Sequence, residues 1–390
     1  MKKPLKRRPA MEADPAKVLG RRIRELRKKL DLKQEQLAAE LGVGSPQIIS
    51  QIEQGKREIK AWELAKLSRI LYVSLTDLLA TEGPEPQPSV LWRILPSAGQ
   101  RPLKEAKFLN HCRDYALLEE LSGTTRAREF PQRKVDATTI GFREAGNLAD
   151  EIRREFALGE QPATSLEKTL QDQYGVKIWY EDLEGGSAAA TLGDFGPAIL
   201  MNRREAPWRR NYNFAHELFH LITWESIPAA PLQRDESLKD KIERIASSFA
   251  SCLLLPADPV TREIEKRTDQ NQIEYSDLIE IARSFDVSTQ ALIYRLQNLR
   301  LISKDTAEGI LNDEDFRRLD RSTMAARWWD PPELPERFVR LAFVAYQKGR
   351  LSRARLAQLL ETTLPDVTET LLRYDLDDRE IQKKIDVCAG

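Results

Sequence analysis

Asn213-Phe214-Ala215-His216-Glu217-Leu218-Phe219-His220 sets two histidines four residues apart with a glutamate between them, in an apolar run that continues through Leu221 and Ile222. On a helix of 3.6 residues per turn, His216 and His220 stand one turn apart on the same face, so both imidazoles can converge on one metal ion. A zinc ion held by three protein ligands keeps a fourth position for water and lowers that water's pKa to about 7. Glu217 then stands beside the metal as a general base, and zinc-bound hydroxide can attack a peptide carbonyl. The alternative is a helix that merely carries two histidines; against it, these are two of only three histidines in the chain.

A third ligand must come from elsewhere. The continuation that supplies another histidine needs Gly and His three and six residues after His220, and Thr223 and Ser226 stand there instead. A carboxylate is the natural substitute. In Glu243-Arg-Ile-Ala-Ser-Ser-Phe-Ala-Ser-Cys-Leu-Leu-Leu-Pro256, Glu243, Ala246, Ser247 and Ala250 fall on one helical stripe. Small residues there allow close packing on the histidine helix with Glu243 directed at the metal. Glu236 and Glu225 remain alternatives. Tyr212, Arg210 and His111 are all open as oxyanion donors, with nothing to separate them.

The surrounding chain is long for one core: 390 residues suggest two to four domains. Charged residues make up 31% and the net charge is zero, but residues 1–60 hold sixteen Lys or Arg against eight Asp or Glu. Such a local basic excess is the electrostatic footprint of a nucleic-acid-binding module, although charge runs are more often solvated surface. The N-terminus lacks an apolar stretch after its basic residues, and no run approaches the length of a membrane span; a cytoplasmic protein without membrane association is expected. Cys112, Cys252 and Cys388 are too scattered for a disulfide framework.

Domain punctuation follows composition. A basic arm (1–16, with Lys2, Lys3, Lys6, Arg7 and Arg8) precedes a compact helical set over 17–80, and a Pro-rich linker covers 81–90. A helical connecting region is expected over 91–144, a metallopeptidase domain over 145–303 and a helical C-terminal region over 304–390. Strands are expected at Val176–Tyr180 and Pro197–Met201. WWDPPELP (Trp328–Pro335) breaks the chain before a final helical pair. The fold class is α+β and mostly helical: an all-α head, a zincin-like domain with a small β-sheet, and a helical tail.

Within the head, residues 33–57 form two helices around a turn at Gly42–Gly44, with Ser45 as cap and Pro46 at the first helical position. Ile49 and Ile52 would face the core, leaving Gln47, Gln51 and Ile48 toward a major groove. The stretch resembles the XRE (Cro/C1-type) helix-turn-helix, with one residue more than the commonest turn. That resemblance implies Gln34 as a phosphate-contacting residue, with Lys56 and Arg57 near the DNA backbone. Homodimerisation would be usual for such a reader, the strandedness of the DNA is open, and reuse of the fold as a protein adaptor is the competing possibility.

Residues 145–303 resemble the ImmA/IrrE (DUF955) peptidases through two anchors together: HELFH, and E-x-x-A-x-x-F-A-x-x-L-L-x-P running from Glu243 to Pro256. The resemblance implies Zn2+ as cofactor, Glu243 as third ligand and a helix-turn-helix-like segment at Arg283–Leu292. Ser247 departs from the family, where Asn is usual. It also implies a protein substrate: a helix-turn-helix repressor whose cleavage relieves repression in stress, DNA-damage or mobile-element settings. From the fusion of the two domains, DNA bound by the head is expected to act as activating signal. The rival class is a DNA-binding regulator or antitoxin-like protein whose peptidase-like domain is a non-proteolytic sensor. Cys112 offers a further possibility, a thiolate that fills the metal's open position and locks the enzyme; a small buried hydrophobe is the plainer alternative.

Overall fold

The computed structural model describes residues 14–80, 87–97, 99–124, 128–270, 272–324 and 327–378. The arm cations Lys2, Lys3, Lys6, Arg7 and Arg8, linker residues 81–86 and Cys388 lie outside them. The described residues divide into two compact units, one drawn from Met1–Gln87 and Ala98–His111, the other from Pro88–Ser97 and Cys112–Gly390.

Together with the start of a longer helix, the first unit holds α1 (Pro15–Lys29), α2 (Gln34–Leu41), α3 (Pro46–Glu53), α4 (Ala61–Ile70) and α5 (Leu75–Leu79). Ile23, Leu37, Leu41, Ile49 and Leu67 are fully buried at its centre. Gly20 lets α1 meet α3 directly, because a Cβ there would collide with the Ile52 and Glu53 carbonyls. The buried Arg27 side chain fixes the same seam, its Nε donating to Glu53 at 2.6 Å. Gly42, at φ +79°, ends α2 in the left-handed conformation that glycine adopts without strain. Ser45 occupies the N-cap position of α3 in extended backbone but makes no side-chain capping bond, so Pro46 at the first turn marks that helix start instead.

The second unit is ordered around a four-stranded sheet. Strand β1 (Leu91–Trp92) precedes the 22-residue α6 (Arg101–Ser122), which begins in the first unit and ends in this one. Next come α7 (Phe142–Glu155), α8 (Leu166–Asp172), β2 (Lys177–Glu181), β3 (Ala188–Gly193), β4 (Gly196–Asn202) and α9 (Pro207–Ile222). The strand order is β1-β3-β4-β2, with β2 parallel to β4 and the other pairs antiparallel. The two expected strands are present. Two more complete the sheet: β1, from the stretch read as a helical connection, and the alanine-rich β3, whose composition favours helix until tertiary packing overrides it.

Both faces of the sheet are covered, which is why the buried β2 does not alternate. Ile178, Tyr180, Ala190, Ile199 and Met201 join Phe214, Leu218 and Phe249 in the main core. On the other face Trp179 packs against Tyr115 of α6 and, at a ring separation of 4.9 Å, against Phe338.

Beyond α9 the chain is helical: α10 (Ala229–Leu232), α11 (Glu236–Leu254), α12 (Ala257–Arg267), α13 (Tyr275–Ser284), α14 (Thr289–Asn298), α15 (Lys304–Asn312) and α16 (Glu314–Met324). After WWDPPELP come three helices rather than a pair: α17 (Glu336–Gln347), α18 (Arg353–Leu359) and the short α19 (Val367–Leu372). The Pro-rich break is itself anchored, since the fully buried Arg210 donates to the Trp329 carbonyl at 2.7 Å. None of the described helices is long and apolar enough to cross a membrane.

Helix α11 packs between α7 and α9, with Ala246, Phe249 and Ala250 buried in the seam. Phe249→Ala is expected to lower unfolding free energy by about 3–5 kcal/mol, seen as a lower urea midpoint. An unshifted midpoint would show that this seam does not limit stability.

Candidate metal centre

Pro207 suits the first turn of α9 and Ala206 precedes it in extended backbone, so the helix carrying the motif starts sharply. From Asn213 to Ile222 every residue is buried, because α9 lies under the sheet on one side and against α11 on the other. His216 and His220 point the same way, with their Nε2 atoms 3.2 Å apart. Helix α11, capped by Asp235 accepting from the Leu238 N–H at 3.0 Å, brings Glu243 to the same point. Glu243 Oε2 lies 2.9 Å from His216 Nε2, and its Oε1 lies 3.5 Å from His220 Nε2.

Three lone-pair donors from three residues thus face a common centre, within 4.8 Å of one another. Two nitrogens bound tetrahedrally at about 2.0–2.1 Å from zinc would stand roughly 3.3 Å apart, close to the separation found here. Burial holds both imidazoles neutral, the form that ligates: it pushes His216 far down and, with Glu243 opposing, His220 down to about 4. The donor set fits a zinc-type ion. Glu225 and Glu236 are not part of this group.

One helical turn after Glu243, the Ser247 hydroxyl lies 3.4 Å from His216 Nδ1. Serine can therefore orient the ring through its outer nitrogen, as a support beyond the ligands. The Ser247 carbonyl in turn accepts from the Tyr212 hydroxyl at 2.7 Å. Glu217 is fully buried, and neither carboxylate oxygen has a hydrogen-bond partner among the described residues. Burial first, then the nearby Glu243 charge, raises its pKa well above the usual carboxylate range. An unpaired buried carboxyl is costly, and such groups concentrate where chemistry is done.

Arg93, just beyond β1, is a residue the sequence did not single out. Its backbone N–H donates to the Ala188 carbonyl at 3.0 Å, which holds it on the β3 edge. Its guanidinium donates to Asn213 and lies over the Tyr212 ring, 5.2 Å from the centroid. The positive charge opposes protonation of His216, Glu217 and His220. No local pattern marks it, since it stands 120 residues before Asn213, just after a two-residue strand.

The remaining site expectations fare unevenly. Cys112 does not join the cluster. It is fully buried on α6, burial raises its thiol pKa, and the charges acting on it are those of Lys177 and Arg113 rather than the histidines or Glu243. In this structure it is a small buried side chain apart from the donor cluster. Arg210 is likewise removed from the chemistry by its bonds to backbone carbonyls of Arg203, Glu205 and Trp329.

In the head, Gln47 and Gln51 are exposed on α3, and Lys56 is exposed after it. Gln34 instead donates to Glu53 at 2.8 Å, and Arg57 is held by Glu63 through two bonds of 2.8 and 3.1 Å. Both have partners of their own that any phosphate contact would have to displace or share. In the second unit, Arg283–Leu292 does straddle a helix-turn-helix, α13 to α14.

Two segments of the chain match known families. Residues 171–297 match the family profile of the IrrE N-terminal-like domain, Peptidase_M78, and residues 23–78 match that of the helix-turn-helix family HTH_3. The matched segments make the chain similar to an N-terminal helix-turn-helix followed by an IrrE-like domain. These matches support a peptidase-like, DNA-binding regulatory reading. Among solved structures, a Mycobacterium tuberculosis transcriptional regulator is similar at 14% identity and a TM-score of 0.31, covering 48% of this chain and 52% of that one. This chain therefore spans about half the length of that regulator. No curated protein matches it.

Elemental analysis of the purified protein is expected to find one zinc per molecule in wild type and Cys112→Ala, and far less in His220→Ala. Equal metal in His220→Ala would dismiss the cluster as the site.

Proposed function

We propose that this protein is a zinc endopeptidase that cleaves a helix-turn-helix transcriptional repressor and so relieves repression, in a stress, DNA-damage or mobile-element response. The observation that carries the reading is Glu217: a buried carboxyl without a partner, on the helix that presents His216 and His220 to Glu243. In this reading His216, His220 and Glu243 hold zinc, which when bound supplies Lewis-acid activation of water and of the scissile carbonyl. Glu217 removes the proton of the attacking water and delivers it to the leaving amine nitrogen. Its raised affinity for a proton suits both halves of that task. Ser247 keeps the His216 ring in place, and Asn213 holds the Arg93 guanidinium beside the site.

The head is proposed to bind DNA through Gln47 and Gln51 on α3, with Lys56 and, after rearrangement, Gln34 and Arg57 on the phosphates. DNA bound there would serve as activating signal. Head homodimers would place two α3 helices on successive half-sites. The second reading, a DNA-binding regulator with a non-proteolytic sensor domain, has in its favour that the same three ligands could hold zinc as a purely structural ion.

The test is cleavage of the helix-turn-helix protein encoded beside this one, with and without DNA. Wild type is expected to cleave it and Glu217→Gln to lose at least about 100-fold in rate, within the range of general-base contributions, while keeping its zinc. Zinc in both proteins with no cleavage by either, DNA present or absent, would favour the regulator. Equal rates with and without DNA would remove the activation step.

A further inference from the structure

A cleft of about 1470 Å³ opens beside Glu243. Its walls are the exposed side of α11 with Ser247, Ser248 and Ser251, the start of α9, and the face of α14 that carries Gln290, Tyr294 and Asn298. The second helix of the α13–α14 helix-turn-helix thus presents its open face to the cleft, where a DNA reader would present it to a groove.

Arginines outnumber carboxylates along this cleft, although Arg209 pairs with Glu205 at 3.0 Å and Arg143 with Glu144 at 3.6 Å just outside its lining. Arg93, Arg143, Arg209, Arg244, Arg295 and Arg300 line it, against two carboxylates, Glu243 and Asp320. Neither carboxylate answers the arginines: Glu243 faces the two histidines, and Asp320 is taken by Arg283 and by the Thr289 hydroxyl at 3.0 Å. Arg244 and Arg300 are exposed, and their side chains have no hydrogen bond or ion pair among the described residues. Like charges gathered on concave walls cost folding free energy, and a concave surface focuses their field on whatever enters.

We propose that this cleft is the substrate channel and that it selects polypeptide segments rich in Asp and Glu around the bond to be cut, with Arg244 and Arg300 as specificity-determining residues. The proposal rests on the peptidase reading above, because a chain delivered to Glu243 must be the one cleaved. The serine, glutamine and asparagine side chains along α11 and α14 supply partners for the backbone amides of such a segment. Guanidinium groups make paired, charge-assisted bonds to its carboxylates. Specificity of this kind works by attraction of acidic segments and by rejection of basic ones.

The experiment separates recognition from catalysis. Zinc-loaded Glu217→Gln is titrated with fluorescein-labelled peptides of matched length, one Glu-rich, one Lys-rich and one neutral, and with a labelled oligo-dT of comparable charge. The Glu-rich peptide is expected to bind at least about tenfold tighter than the neutral one. That preference should disappear in the added Arg244→Glu, Arg300→Glu double variant, return with Lys at both positions, and weaken with salt as expected for screened charges. Equal binding of the three peptides, or a preference untouched by charge reversal, would overturn the proposal. Oligo-dT binding that depends on Arg244 and Arg300, with no binding of the Glu-rich peptide, would reassign the cleft to nucleic acid. In parallel, wild type digests a proteome-derived peptide library. Acidic binding without any cleavage would count against the peptidase and leave the cleft's chemistry standing, whereas cleavage without acidic enrichment would leave the peptidase standing and overturn the channel's selectivity.

Discussion

Helices α9 and α11 pack directly against each other, and the buried face of α11 combines small residues with an aromatic one. Ala246 and Ala250 are fully buried at the seam, and Phe249 lies 5.6 Å from the Phe219 ring. That spacing lets Glu243, 27 residues from His216 in sequence, reach within 2.9 Å of its Nε2. Bulkier side chains at 246 or 250 would push α11 outward, and the carboxylate would lose contact with both histidines at once. The sheet against α9 and α7 against α11 hold the two helices in place. Metal-ligand geometry, imidazole orientation by Ser247 and the isolation of Glu217 all depend on this one packing distance.

The seam also sets the electrostatics. A fully buried carboxyl with no partner, two buried neutral imidazoles and a glutamate facing them make a concentration of acceptor groups that would be unfavourable without a cation. A divalent ion placed among His216, His220 and Glu243 would reverse that balance and draw Glu217 toward ionisation. Arg93 contributes positive potential from the sheet edge, held there by the β3 backbone and by Asn213. The same principle applies in reverse along the cleft, where arginines outnumber carboxylates and an anionic segment would restore balance.

Much of the architecture could be read from residue patterns. The helical head, the strands at β2 and β4 and the helix carrying HELFH all follow from periodicity and from Pro and Gly punctuation. What escaped has a common cause. Strand β3 is built largely of alanine, which favours helix until neighbours bury it; β1 is two residues long; and α19 is too short to show a period. Cys112 and Arg210 carried reactive chemistry as residue types, yet each is consumed by burial. Gln34 and Arg57 are polar and basic where a DNA reader would want them, but Glu53 and Glu63 already engage them.

By itself the sequence determined that His216 and His220 share a helical face with Glu217 between them, because a turn of helix is closed by backbone bonds only four residues long. It equally determined that Gly42 and Pro46 punctuate the head's two helices, since both act through their own backbone torsions. Tertiary structure alone decided that Glu243 meets the histidines, that Ser247 takes the outer nitrogen of His216, that Arg93 stands over Tyr212, and that α14 turns its polar face to the cleft. Each of those relations joins residues far apart in the chain. The free energy that fixes them comes from burying whole faces of helices and sheet, a quantity that no local pattern contains.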